Sequence, residues 1–217
     1  MSTSIIRRPF QYRFYNASVG LIIVNLIVFL ITTIVQNAKV YLSLIPGLVI
    51  QQHAYWQFVT YMFTHADISH IFFNMLALFF FGVQVERRMG SNEFLLFYFI
   101  CGIGAGLFSF LIFVLSGSYN VILLGASGAV YAVLLAFAVF YPYANIYVMG
   151  IIPIRAPLLV IIYTAIELFS QFFSLRSGIA HLTHLAGFAF SFLYFLIRLD
   201  INPIQVFKRN SGRNSVW

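Results

Sequence analysis

Charge is what this chain has least of. Only 8% of its 217 residues are Asp, Glu, Lys or Arg, five of them acidic, and the mean hydropathy is +0.95. A water-soluble domain of this size cannot cover its surface with so few charges. A polytopic membrane protein is the class that remains. Cysteine is nearly absent too: Cys101 stands alone, which excludes an internal disulfide framework. A removable leader is not expected, because Arg7, Arg8 and Arg13 precede a long apolar run with no small-residue cleavage site behind it. One helical domain is expected in these residues, without an appended soluble one.

What is present is apolar sequence in six runs, at residues 18–36, 69–85, 93–116, 125–141, 156–173 and 178–199. Each is long enough, or nearly so, to cross a bilayer. The organisation predicted is a short N-terminal segment (1–17), a six-span all-α domain (18–199) and a polar, loose tail (200–217). Residues 39–66, between the first two runs, mix Pro46, Gly47, Gln51, Gln52 and His53 with Tyr41, Tyr55, Trp56, Phe58 and Tyr61. Such a mixture suits the membrane interface, so a partly embedded loop with short helices is expected.

The formal charge of +7 could suggest nucleic acid, but the basic residues sit beside the spans and read as topology signals. Six spans place Arg7, Arg8, Arg13, Arg87, Arg88, Arg155, Arg198, Lys208, Arg209 and Arg213 on one side, and only Lys39 and Arg176 on the other. That asymmetry predicts both termini in the cytoplasm of a cell with this protein in its inner membrane. No nucleic-acid partner is expected; the bilayer is the partner.

Polar residues inside the spans fall at one depth. Ser127 and His184 each stand fourteen residues from the inner ends of their spans, about 21 Å at ~1.5 Å per residue. Asn74 and His70, one helical turn apart, lie about 18 and 24 Å from the inner end of the second span by the same measure. Gly128, Ala132 and Ala136 repeat at four-residue spacing, as do Gly187 and Ser191, so the fourth and sixth helices can approach closely. Gly125-Ala126-Ser127-Gly128 then presents a hydroxyl and free backbone N–H groups at a helix start.

A serine beside a histidine is the minimum for nucleophilic catalysis: the imidazole takes the hydroxyl proton and the oxygen attacks a carbonyl. Candidate donors for the resulting oxyanion are the Ser127 N–H, the Asn74 amide and the His70 ring. No carboxylate is placed by sequence to orient His184, with Asp67 at a loop edge and Glu167 deep in the fifth span. The expectation is therefore a dyad. Tyr131 shares the helical face of Ser127. Metal and organic cofactors are not expected: His181 and His184 at i, i+3 have no carboxylate or cysteine partner in the sequence, and there is no His-Glu-x-x-His.

These residues resemble the rhomboid family of intramembrane serine proteases over nearly the whole chain. The matching pieces are Trp56 in the first loop, His65-Ala-Asp-Ile-Ser-His70-Ile-Phe-Phe-Asn74, Glu86-Arg-Arg-Met-Gly90-Ser91, Gly125-Ala-Ser127-Gly128 and Ala180-His181-Leu-Thr-His184-Leu-Ala-Gly187. The resemblance implies Ser127 as nucleophile, His184 as general base, His70 and Asn74 at the oxyanion, and Tyr131 packed against the imidazole. It implies transmembrane protein substrates entering beside the fifth span, and a site open toward the outer face. Gly125, Gly128, Gly187, His65 and Trp56 become supporting residues. The family's frequent Trp-Arg pair reads Trp56-Gln57 here, which puts the loop contacts of that arginine in doubt.

Plainer readings stand beside these. Ser127 alone could be a helix cap. His184 could be a packed, hydrogen-bonded histidine and Asn74 a helix-to-helix bond; His181 reads as such a packed histidine on the loop side, or as one that lines the water entry. His65 reads as a brace for the first loop, and Glu86 with Arg87 or Arg88 as structural contacts. A non-catalytic rhomboid-like protein that recognises membrane proteins for quality control is the alternative function, and a transporter the third. The transporter lacks an inverted repeat of broken helices. Oligomeric state has no signal in the sequence.

Overall fold

Six apolar helices form where the six apolar runs lie. The computed structural model describes residues 7–35, 37–148, 150–173 and 178–211; Gln36, Arg176 and Arg213 of the predicted spans and charge pattern lie outside the described residues. The first helix is α1 (Ala17–Ile34). The first loop carries three short helices, α2 (Ala38–Leu42), α3 (Pro46–Gln52) and α4 (Gln57–Thr60). The second span is α5 (Ile68–Ala77), a wider π turn over Leu78–Gly82, and α6 (Val83–Met89). Then come α7 (Ser91–Leu115), α8 (Ser127–Phe140), α9 (Ala156–Phe173) and α10 (Gly178–Ile197).

Two features depart from the expected outline. The connection from α8 to α9 is a small antiparallel hairpin, β1 (Asn145–Val148) with β2 (Ile152–Arg155). The tail is not wholly loose: α11 (Pro203–Ser211) follows α10, opened by Pro203 at its first position and by Asn202, whose Oδ1 accepts from the Ile204 and Gln205 N–H groups.

Helix α8 is the core. It packs against α7, α9, α10 and the second span, and eleven of its residues are buried, which is what an all-round apolar helix requires. Helices α1, α5–α6 and α7 are long and apolar enough to cross a membrane. Helix α8, fourteen residues long, spans only about 21 Å, short of a ~30 Å hydrocarbon core. Its N-terminus therefore begins below one surface, and the chain from α7 dips inward to reach it. The first loop closes over that dip. Leu44 and Leu123 exchange both backbone hydrogen bonds at 2.9 Å, and the Gly125 N–H donates to the Tyr61 carbonyl at 2.9 Å.

Two buried carboxylates lock the opposite, arginine-bearing end. Glu86 accepts from the Ala17 N–H (2.6 Å), the Ser18 N–H (2.8 Å), the Ser18 hydroxyl (2.6 Å) and the Ser91 hydroxyl (2.5 Å), and so caps α1. Its partners are these serines rather than Arg87 or Arg88. Glu93 accepts two bonds from Arg198, at 2.8 and 2.9 Å, a third from the Tyr194 hydroxyl and a fourth from the Phe10 N–H.

Candidate active site

The site begins at a turn that only glycine fits. Gly125 has φ of 119°, a backbone region that L side chains avoid, and a Cβ there would meet the His70 ring at 2.8 Å. Two residues on, Ser127 opens α8, whose first turn has no side-chain cap. Helix α10 comes in beside it because Gly187 crosses Gly128: a Cβ on Gly187 would collide with the Gly128 carbonyl oxygen. The Ser191 hydroxyl donates to the Ala132 carbonyl at 3.0 Å one turn further along the same seam.

That crossing sets the Ser127 Oγ 2.8 Å from the His184 Nε2. The Tyr131 ring lies flat on the His184 imidazole, centroids 4.2 Å apart and planes 10° off parallel. A cavity of about 250 Å³ opens in front, lined by Ser69, His70, Phe73, Asn74, Ser127, Tyr131 and His184. The structure thus brings together Ser127, His184, Tyr131, His70 and Asn74 from three helices.

The second span presents its two polar residues in defined states. Asp67 caps α5, its Oδ1 accepting from the Ser69 hydroxyl at 2.6 Å and the His70 N–H at 2.8 Å. The Ser69 bond first, then the His70 N–H, hold its carboxyl below the usual carboxylate range. The His70 Nδ1 accepts from the Ala66 N–H at 3.4 Å, so its ring proton belongs on Nε2, the atom turned toward the Gly125 turn. The Asn74 amide donates to the His70 carbonyl at 3.1 Å, along its own helix, while lining the cavity.

His65 and Trp56 stand outside the cavity. His65 is fully buried and meets His70 edge-on at 5.0 Å between centroids. The Trp56 Nε1 donates to the Tyr41 carbonyl at 3.0 Å, and its ring rests on Tyr41. Gln57, at the position where an arginine was missed, is fully buried. Its Oε1 accepts from the Ile45 N–H at 3.0 Å, and its Nε2 donates to the Tyr41 carbonyl at 3.2 Å. The amide itself braces the loop.

The carboxylate that the sequence reading set aside as too deep in the fifth span, Glu167, belongs to the site. It projects from α9, only 5% exposed, with Oε1 2.9 Å from the His184 Nδ1. The Tyr131 hydroxyl donates to the same oxygen at 2.5 Å, and His181 Nδ1 bonds the other oxygen. The expectation that no carboxylate orients His184 is overturned. His181 is the packed, hydrogen-bonded histidine of the first reading, with Glu167 as its partner, and more than a water-lining residue. The signal was available: Glu167 stands eleven residues along α9 from Ala156, about 17 Å, within roughly one turn of the depth of Ser127. The three donors Glu167, His181 and His184 lie within 4.8 Å of one another.

Residues 52–201 match the family model of the Rhomboid domain. The chain belongs to the rhomboid family. This rhomboid chain is 36% identical over 88 residues to RHOMBOID-like protein 1 of Arabidopsis thaliana, which covers 41% of the chain and 21% of that relative. It is 38% identical over 85 residues to Rhomboid protease GluP of Bacillus subtilis (strain 168), 39% of the chain and 16% of that protein. It is 44% identical over 55 residues to Rhomboid protease AarA of Providencia stuartii, 25% of the chain and 20% of that protein. The chain matches about a quarter or less of the length of each of these relatives. Family and helices together make it a multi-pass integral membrane protein.

Proposed function

We propose that this rhomboid chain is an intramembrane serine endopeptidase that cuts transmembrane segments of other membrane proteins. The observation carrying the proposal is the 2.8 Å hydrogen bond between Ser127 and His184 at the wall of a recessed cavity. Glu167 adds direction to it. A carboxylate on Nδ1 holds the ring proton there, so Nε2 carries the lone pair and the Ser127 hydroxyl donates.

The reaction follows from these positions. A locally unwound substrate helix enters the cavity. Ser127 Oγ attacks the scissile carbonyl as its proton passes to His184 Nε2. The negative charge moving to the carbonyl oxygen meets the Ser127 N–H at the start of α8, the His70 Nε2–H and the Asn74 amide. His184 then returns the proton to the departing amine, leaving an ester on Ser127. Water, deprotonated by the same nitrogen, hydrolyses the ester. Glu167 stabilises the transient imidazolium without taking its proton. The charge asymmetry of the chain supports cytoplasmic termini in a cell membrane, with the cavity opening to the outer face.

The test is cleavage of a helical membrane substrate in liposomes by the wild type, Ser127→Ala and His184→Ala. Loss of cleavage in both variants is expected. Undiminished cleavage by either overturns the assignment of Ser127 and His184, whereas no cleavage by the wild type leaves the membrane-protein recognition role of the non-catalytic reading.

A further inference from the structure

His181 is more than a Ser–His–Glu relay needs. One oxygen of Glu167 suffices to orient His184, yet the other is engaged by a second imidazole. His181 and His184 share one face of α10 at i, i+3, and Glu167 faces them from α9. Two imidazole nitrogens and one carboxylate oxygen converge within 4.8 Å. This is the donor set that zinc accepts while keeping a fourth position for water.

We infer that Glu167, His181 and His184 form a binding site for a zinc-class divalent cation, and that occupancy switches the serine off. The switch rests on the protease reading; the binding does not. Bonds of ~2.0–2.2 Å to the metal place tetrahedral ligands roughly 3.3–3.6 Å apart, so the two imidazoles need move only by about 1 Å. The side chains of His181 and His184 are 20% and 16% exposed and that of Glu167 6%, which gives an ion and its water a way in. The Tyr131 hydroxyl already holds the carboxylate in place, as an outer hydrogen bond to a metal ligand does. One carboxylate and two neutral imidazoles leave a net charge of +1 with the ion bound.

The inhibition follows from which nitrogen is used. Both imidazoles face the cluster through Nδ1, while the Nε2 of His184 faces Ser127. A neutral imidazole bound to metal through Nδ1 carries its hydrogen on Nε2. That hydrogen points at the Ser127 Oγ, so His184 becomes a donor and cannot accept the hydroxyl proton. Nothing is oxidised and no proton is gained or lost; each histidine changes tautomer.

The experiment uses the full chain purified in detergent after EDTA treatment. Binding is read with Co²⁺, whose visible absorption reports a four-coordinate site, and with Zn²⁺ by competition. The wild type and Ser127→Ala are expected to bind one ion per chain. His181→Ala, His181→Gln and Glu167→Gln should bind more weakly by more than roughly tenfold. In the wild type, Zn²⁺ should stop a fluorophosphonate probe from labelling Ser127, and EDTA should restore labelling. Labelling of His181→Ala, relative to its own metal-free rate, should not respond to the same Zn²⁺ concentration. Wild-type binding no tighter than that of both His181 variants overturns the site. Stoichiometric Zn²⁺ with unchanged labelling overturns the switch. No labelling even in EDTA overturns the protease reading and the switch with it, while the Co²⁺ measurement still decides the site.

Discussion

The carboxylate of Glu167 lies 2.9 Å from the Nδ1 of His184, on the far side of the imidazole from Ser127. A single ring is thus held between an acid on α9 and a hydroxyl on α8. An isolated carboxylate within a span is costly; here Tyr131, His181 and His184 satisfy it, and in exchange it selects the tautomer that faces the serine.

Replacing that acid separates orientation from fold. Glu167→Gln keeps the shape but no longer demands an N–H on His184. Cleavage should fall on the order of 10²–10⁴-fold, in kcat with KM unchanged, since the group acts on the transition state and not on the substrate. Steady-state kinetics on a liposomal substrate, with fluorophosphonate labelling slowed in parallel, check this. A purely structural role would instead shift the melting temperature and leave the surviving molecules with full kcat.

Ser127→Ala and His184→Ala should each lower cleavage by roughly 10³-fold or more, and the double variant should be little worse than either. The two groups act as one unit, so their effects do not add. An additive double variant would show that the serine and histidine work separately.

Gly187→Ala tests the helix crossing. A methyl group there runs into the Gly128 carbonyl, a backbone atom that cannot swing aside. Overpacking of this kind costs about 1–3 kcal/mol. A lower melting temperature in detergent is expected, with activity lost even below the transition because Ser127 and His184 are pushed apart. Wild-type melting and activity in Gly187→Ala would contradict the crossing.

His65 makes stability depend on pH. It lies in the loop outside the spanning helices, and burial first, then the neighbouring His70, pushes it from 6.5 down to about 4. The unfolded chain therefore binds a proton that the folded chain refuses between those values. The contribution of His65 is complete above about pH 6.5 and is lost as pH falls toward 4. Thermal unfolding should show a declining midpoint across that window, and His65→Phe should flatten it. Asp67, with its lowered carboxyl, acts only at the acid end. An equal decline in His65→Phe would assign the effect elsewhere.

Much of this molecule is legible from local pattern. Spans are written in runs of apolar residues, and the close seam in Gly128, Gly187 and Ser191, because helix length and helix approach depend on residues next to one another in the chain. Depth is readable too, since rise per residue is constant; it brought Ser127, His184, His70 and Asn74 to one level. The same arithmetic applied to α9 would have reached Glu167. The hairpin between α8 and α9, with strands of four residues, and the nine-residue helix α11 were missed, for segments so short carry weak periodicity.

The sequence by itself determined a membrane protein of the rhomboid family, its six helices and the depth of its polar residues. Only the tertiary structure decided which way those residues turn. Rotation of a helix about its axis is set by what packs against it, and that is invisible in the order of residues. It is rotation that aims His184 at Ser127 with one nitrogen and at Glu167 with the other, and that turns His181 into the same cluster.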